Sequence, residues 1–113
     1  MHVITTTAEL DAFADRAVAA EFLCVDTEFM RESTFYSQLC LIQAATPDEE
    51  CIIDPLAEGI DLEPLLELMA DERLLKVMHS ARQDLEIFYE LMGEVPAPLF
   101  DTQIAAMALG YGD

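Results

Sequence analysis

Apolar residues follow a helical spacing at the start of the chain and then gather in three short runs. Between residues 8 and 20 they recur every three or four positions, which predicts an amphipathic helix capped by Thr7. The apolar runs that follow predict β-strands at residues 22–29, 38–45 and 50–54. Because short polar segments connect these strands, we expect them to form an antiparallel meander.

Strands and helices alternate in the second half of the chain. The pattern predicts helices at residues 62–69, 80–92 and 102–109, and strands at residues 74–78 and 99–100. Gly93 is expected to end the second of these helices, since glycine readily adopts the left-handed conformation found there. A meander followed by this alternation predicts an α/β fold: a mixed sheet, with three antiparallel strands and then parallel strands, and flanking helices.

The composition is that of one globular domain, which we expect to span residues 1–113. Hydrophobic residues make up 53% of the chain. No apolar run reaches the roughly 18–20 residues that cross a bilayer, and no basic segment precedes an apolar core at the start. We therefore expect a cytoplasmic protein without membrane contact. Cys24, Cys40 and Cys51 form no CxxC pair and are expected to be free thiols in the core.

The charge of the chain is strongly acidic. It has 23 acidic and 5 basic residues, for a net charge of −18. Proteins that bind nucleic acids usually carry a basic surface, because contacts to phosphate dominate their affinity. Charge alone therefore favours a solubilising surface or a protein that binds cations.

Two carboxylates lie close together in the first predicted strand. Asp26 and Glu28 are two positions apart, so in a strand their side chains point to the same face. Two like charges side by side are unfavourable unless a partner neutralises them. A bound cation is one solution, and carboxylate oxygens favour Mg²⁺ or Mn²⁺. The other interpretation is a strand end with two surface acids.

A third carboxylate, Asp84, lies on the apolar side of the helix predicted at residues 80–92. Ser80 and Gln83 form a capping-box pair at its start. At about 100° per residue, the apolar stripe of this helix is centred near Asp84, whereas Glu86 points to solvent. An inward carboxylate needs a metal, a network of donors or a backbone to cap. With the first two acids it would form the kind of cluster that two-metal phosphoryl transfer uses.

Four blocks of the sequence resemble the ribonuclease D family. They are FLCVDTEFMRESTFYSQLCLIQ, which is similar to the first exonuclease motif of that family, then IIDPL, then VMHSARQDLEIFYELMG, which is similar to the second motif, and finally PLFDTQIAA. The blocks keep the order and approximate spacing of the family, and the resemblance extends from Val3 to Leu109. The order of predicted elements likewise resembles the ribonuclease H-like architecture, which would be incomplete at the C-terminus here.

The resemblance implies a DEDD-type 3′→5′ exonuclease domain with four acidic metal ligands. Asp26, Glu28 and Asp84 match the first three, and they are the expected catalytic and metal-binding residues for two divalent ions, Mg²⁺ or Mn²⁺. The fourth ligand belongs to a YxxxD pattern, which is absent because Tyr111-Gly112-Asp113 has the wrong spacing. The resemblance therefore implies a chain truncated before the third exonuclease motif, and we expect this piece alone to be inactive.

The resemblance also suggests residues that contact the substrate. It places Thr27 and Phe29 against the terminal nucleotide, and His79 beside the site. The other interpretation of Phe29 is a core aromatic, and His79 is expected to have a supporting or structural role rather than to act as a general base. Asp101 matches a recurrent position in the family, but its place before a predicted helix indicates a cap. Gln43 is expected either to be a buried polar group or to line the groove.

Three functions are compatible with these patterns. The first is a metal-dependent 3′→5′ exoribonuclease that releases nucleoside monophosphates from single-stranded RNA 3′ ends, with transfer RNA precursors as the expected substrates. The second is the same reaction on DNA 3′ ends, since the sequence does not reveal the contact to the 2′-hydroxyl that distinguishes RNA. The third is a non-catalytic acidic module that binds a protein or a cation.

Overall fold

The chain forms one mixed sheet covered by helices. The structure is a computed structural model that describes residues 2–31, 37–79 and 82–103. Within these ranges the elements are β1 (His2–Ile4), α1 (Thr7–Ala17), β2 (Phe22–Arg31), β3 (Ser37–Ala45), β4 (Glu50–Ile53), α2 (Glu63–Ala70), β5 (Leu75–Met78), α3 (Arg82–Met92) and β6 (Leu99–Asp101). None of the helices in this part of the chain is long and apolar enough to span a membrane.

The sheet combines the predicted meander with parallel strands. Its order is β1-β4-β3-β2-β5-β6. The pairs β2–β3 and β3–β4 are antiparallel, whereas β2–β5, β5–β6 and β1–β4 are parallel. The predicted α/β fold with a mixed sheet is therefore confirmed. The short strand β1 was not predicted, and it pairs with β4 from His2 opposite Cys51 to Ile4 opposite Ile53.

The first helix differs from its prediction at both ends. Its cap is Thr6, not Thr7: the Thr6 hydroxyl accepts a hydrogen bond from the Glu9 N–H at 3.2 Å. The Thr7 hydroxyl instead accepts one from the Asp61 N–H at 2.8 Å. The helix ends at Ala17 and not at residue 20, because a tight turn precedes β2.

The remaining predicted elements lie within one or two residues of their predictions. Gly93 follows α3 with a φ of +79°, as predicted for its end. The predicted capping residue Ser80, and most of the helix predicted at residues 102–109, fall outside the described residues.

Three helices cover the same face of the sheet. In β2 the alternate residues Leu23 and Val25 are buried in one core cluster. The helices contribute to that cluster with Phe13 from α1, Leu65 from α2 and Phe88 from α3. Because neighbouring strand residues point to opposite faces, Asp26 and Glu28 belong to the face that α1, α2 and α3 leave uncovered.

One charged residue, Lys76 of β5, lies entirely inside this core. Its side chain is 0% exposed, and its ammonium donates hydrogen bonds to three backbone carbonyls. Two of them, Asp71 and Leu74, belong to the connection between α2 and β5, and the third, Ala97, precedes β6. Burial lowers the pKa of the Lys76 ammonium, and the nearby charge of Asp71 opposes that effect. The hydrogen bonds of Lys76 therefore link the connection between α2 and β5 to the segment that precedes β6.

Candidate active site

Strand β2 presents two carboxylates on its uncovered face. Asp26 and Glu28 are exposed. The residues that alternate with them, Val25 and Thr27, are only 3% and 7% exposed. The pairing of β2 with β3 is regular up to Glu28 and shifts register immediately after it. The two acids therefore lie on one face, as the alternation predicts, at the point where the regular ladder is interrupted.

The third carboxylate approaches β2 from the helix-covered side. Asp84 lies in the first turn of α3 and is 6% exposed, so it points inward as its helical position predicts. One turn further along the same face, Phe88 is 0% exposed and anchors α3 in the core. The Thr27 hydroxyl donates a hydrogen bond to Oδ1 of Asp84. The partner that a buried carboxylate requires is thus supplied, at least in part, by β2.

The pKa of the Asp84 carboxyl responds to its burial and to the groups around it. Burial raises the pKa of the Asp84 carboxyl above its ordinary value, the Thr27 hydrogen bond acts in the opposite direction, and the charge of Asp26 raises it further. The two carboxylates come from β2 and α3, and their mutual repulsion favours a cation between or beside them.

A groove of about 620 Å³ opens beside Asp26 on the uncovered face. Its walls include Gln43 of β3 and His79 at the end of β5. Gln43 was expected either to be buried or to line the groove. It is exposed and lines the groove. Because β2 and β5 are parallel, their carboxyl ends meet at the same edge of the sheet, which brings His79 to the side of the groove where Asp26 lies.

His79 has a defined polar contact within the groove. Its Nδ1 lies 2.8 Å from the Thr102 hydroxyl, which donates to the Met78 carbonyl at 3.4 Å. Asp101 accepts a hydrogen bond from the Gln103 N–H at 2.9 Å, as a cap would. The side chain of Phe29 lies outside the described residues, so its predicted contact with the substrate stays a prediction.

The donor set suits a hard divalent cation. Asp26, Glu28 and Asp84 offer only carboxylate oxygens, the ligands that Mg²⁺ and Mn²⁺ prefer. Among residues 2–31, 37–79 and 82–103, no three side chains of the ligating types are already grouped as a metal site. The described geometry joins Asp84 to β2 through Thr27 and leaves Glu28 on the exposed face with Asp26.

The hydrogen bond between Thr27 and Asp84 was not predicted from the sequence. The predicted contact of Thr27 with the terminal nucleotide stays a prediction. The signal was a hydroxyl-bearing residue on the buried side of an apolar strand, in line with Leu23 and Val25. Such a residue needs a polar partner from another element.

Comparison with known proteins identifies the class to which this fold and these carboxylates belong. The whole chain, residues 1–113, matches the 3'-5' exonuclease family, and it belongs to that family. It is 56% identical over 113 residues to a Ribonuclease D of Nitrobacter hamburgensis, covering 100% of this chain and 30% of the relative. It is 55% identical over 116 residues to a Ribonuclease D of Jannaschia sp., covering 99% of this chain and 30% of the relative.

A solved structure gives the same relationship. The chain superposes on Escherichia coli RNase D with a TM-score of 0.85 and 40% identity, over 93% of this chain and 28% of that one. The resemblance to ribonuclease D and the expected ribonuclease H-like fold are therefore confirmed. The chain spans only about three tenths of the length of these relatives.

Proposed function

We propose that this chain carries part of the active site of a metal-dependent 3′→5′ exoribonuclease, which releases nucleoside monophosphates from RNA 3′ ends. The carrying observation is the buried carboxylate of Asp84, which accepts a hydrogen bond from Thr27 of β2, the strand whose Asp26 lines an open groove. Membership of the 3'-5' exonuclease family supports the reaction. The similarity to E. coli RNase D, an exoribonuclease involved in structured RNA processing, supports RNA as the substrate.

The finer parts of the proposal concern the natural substrate and its location. Structured RNAs with single-stranded 3′ ends, transfer RNA precursors among them, fit an exonuclease similar to one involved in structured RNA processing. Such a reaction would take place in the cytoplasm, which is the location predicted from the sequence.

Asp26, Glu28 and Asp84 are the residues that would hold two Mg²⁺ or Mn²⁺ ions. When bound, divalent ions of this kind activate a water molecule and offset the charge that develops on the phosphate. The chain's own residues provide the fixed geometry. Asp26 and Glu28 project from a strand, Asp84 projects from a helix anchored in the core, and Thr27 joins the two elements.

The groove beside Asp26 provides the place for the RNA end. Exposed Gln43 and His79 can donate or accept hydrogen bonds there. The net charge of −18 opposes the approach of a polyanion. We therefore infer that binding depends on the groove and its cations more than on a basic surface of the described residues.

A cleavage assay on the full natural chain tests this function. The substrate is single-stranded RNA labelled at its 5′ end, with Mg²⁺ or Mn²⁺, beside the same RNA with a blocked 3′ end and a DNA of the same sequence. We expect a ladder that shortens from the 3′ end on the unblocked RNA and disappears in Asp26→Asn. Glu86→Gln is the matched control, because Glu86 is an exposed acid of α3 two residues from Asp84.

Each other outcome indicates a different function. Cleavage of the DNA in preference to the RNA would replace the proposal with a DNA 3′ exonuclease. No cleavage of either nucleic acid by a folded protein loaded with metal would indicate the non-catalytic acidic module. Equal loss of activity in Glu86→Gln and Asp26→Asn would mean that total charge, rather than the site, controls the reaction.

A further inference from the structure

Thr27 is the one residue between Asp26 and Glu28, and it points in the opposite direction. It continues a row of buried residues on the helix-covered face of β2, after Leu23 and Val25, and it is 7% exposed. The first two members of that row are aliphatic. The third carries a hydroxyl at the position where Asp84 of α3 meets the strand.

The packing of α3 fixes the backbone position of Asp84. Phe88 is 0% exposed, and Leu85 and Met92 pack against the same core cluster. This anchoring fixes the first turn of α3 over β2, but it does not set the rotation of the Asp84 side chain. The hydrogen bond from Thr27 to Oδ1 supplies that last constraint.

The chemistry of the donor matters for a cation site. A lysine or arginine at position 27 would also orient the carboxylate, but it would neutralise the charge that attracts a cation. A valine of the same shape would leave a buried carboxylate with one donor fewer. Threonine is the side chain of this size that orients the carboxylate and leaves its negative charge in place.

We propose that Thr27 is a positioning residue for metal binding, whose hydroxyl holds the carboxylate of Asp84 in the orientation that a divalent cation needs beside Asp26. The inference rests on the proposed function, since it assigns Thr27 a role toward the same cations. It gives Thr27 a task that is different from contact with the terminal nucleotide, because the hydroxyl is directed to the helix and away from the groove side of β2.

The test is the affinity of the full natural chain for Mn²⁺ alone, measured by isothermal titration calorimetry without RNA. Thr27→Val removes the hydroxyl and keeps the shape of the side chain, whereas Thr27→Ser keeps the hydroxyl. Ile42→Val is the matched control, because Ile42 pairs with Thr27 across β2 and β3 and is 0% exposed. Asp84→Asn reports whether the cation uses this site at all.

We expect Thr27→Val to raise the dissociation constant for Mn²⁺ about 10–100-fold, the range typical when a residue that orients a metal ligand is removed. Thr27→Ser should stay within about threefold of the wild-type value, and so should Ile42→Val even where its melting temperature falls. Rescue by serine separates positioning from a general loss of stability, because serine retains the donor while losing a buried methyl group.

Two results would overturn the proposal in distinguishable ways. If Asp84→Asn weakens Mn²⁺ binding but Thr27→Val binds as tightly as the wild type or more tightly, the hydroxyl only satisfies a buried carboxylate. The metal site then stands and the role of Thr27 fails. If the wild type binds no Mn²⁺, or if Asp84→Asn leaves the affinity unchanged, the metal site itself fails and the role of Thr27 fails with it.

Discussion

The buried ammonium of Lys76 allows a quantitative test of what holds the parallel half of the sheet together. Lys76→Met keeps most of the apolar stem and removes the charged group. It abolishes the hydrogen bonds to the carbonyls of Leu74 and Ala97, at 2.7 and 2.9 Å, and to that of Asp71. Two of these carbonyls belong to the connection between α2 and β5, and the third precedes β6. The substitution therefore removes the side-chain link between these two segments.

The expected loss follows from two opposing contributions. A hydrogen bond to a charged group contributes about 1.5–3 kcal/mol net, so three such bonds give roughly 5–9 kcal/mol. Burial of an ammonium offsets several kcal/mol of that gain. We therefore expect Lys76→Met to lower the free energy of unfolding by about 3 kcal/mol, because the carbonyls lose their donor while burial of the ammonium no longer opposes folding.

The assay is equilibrium unfolding of the full natural chain in urea at pH 7. Arg73→Met is the matched control, because Arg73 also contacts Asp71 but its side chain is 84% exposed. Its effect should be much smaller than that of Lys76→Met, because exposed ion pairs contribute little to stability. Amide hydrogen exchange should rise more in β6 than in β3, since Ala97 directly precedes β6. A Lys76→Met protein as stable as the wild type would refute the reasoning, because burial of the ammonium would then cancel all three bonds.

Three further predictions concern a pKa, a core anchor and a surface ion pair. Hydrogen bonds from Arg73 lower the pKa of Asp71 to about 2, so the stabilisation from this pair is present above the unfolded value near 3.8 and is lost as the pH falls toward 2. In Arg73→Met, carboxyl NMR titration should find the pKa of Asp71 closer to 3.8; an unchanged value would contradict the assignment. Phe88→Ala should destabilise the protein by about 3–5 kcal/mol in thermal unfolding, and a loss below about 1 kcal/mol would mean that Phe88 does not anchor α3. Arg16 donates two hydrogen bonds to Glu49, at 2.7 and 2.9 Å, and a double-mutant cycle should find only a weak coupling in this exposed pair, reduced further by about 1 M salt. A coupling that does not depend on salt would indicate a contribution from packing instead.

Local patterns were sufficient for most of the fold. The strands predicted at residues 22–29, 38–45 and 50–54 correspond to β2, β3 and β4, because the alternation of apolar residues depends only on neighbours within one strand. The same periodicity oriented the candidate site. Asp26 and Glu28 share a face of β2, and Asp84 points inward from α3.

Patterns failed where several local choices were equivalent. Thr7 was predicted as the cap of α1, but it follows two other threonines, and its contact with Asp61 leaves that role to Thr6. Strand β1 has three residues, of which only Ile4 is buried, so it carries no period to recognise. It is a strand because β4 lies beside it.

The sequence by itself determined the class of fold, the sides of β2 and α3 on which Asp26, Glu28 and Asp84 lie, and the family of the chain. Only the tertiary structure decided which groups satisfy the buried charges. The hydroxyl that holds Asp84 comes from Thr27, 57 positions earlier, and one carbonyl that holds Lys76 comes from Ala97, 21 positions later. Periodicity shows that a charged side chain is turned inward and must find a partner. The partner is set by which elements pack together, and that depends on the whole chain.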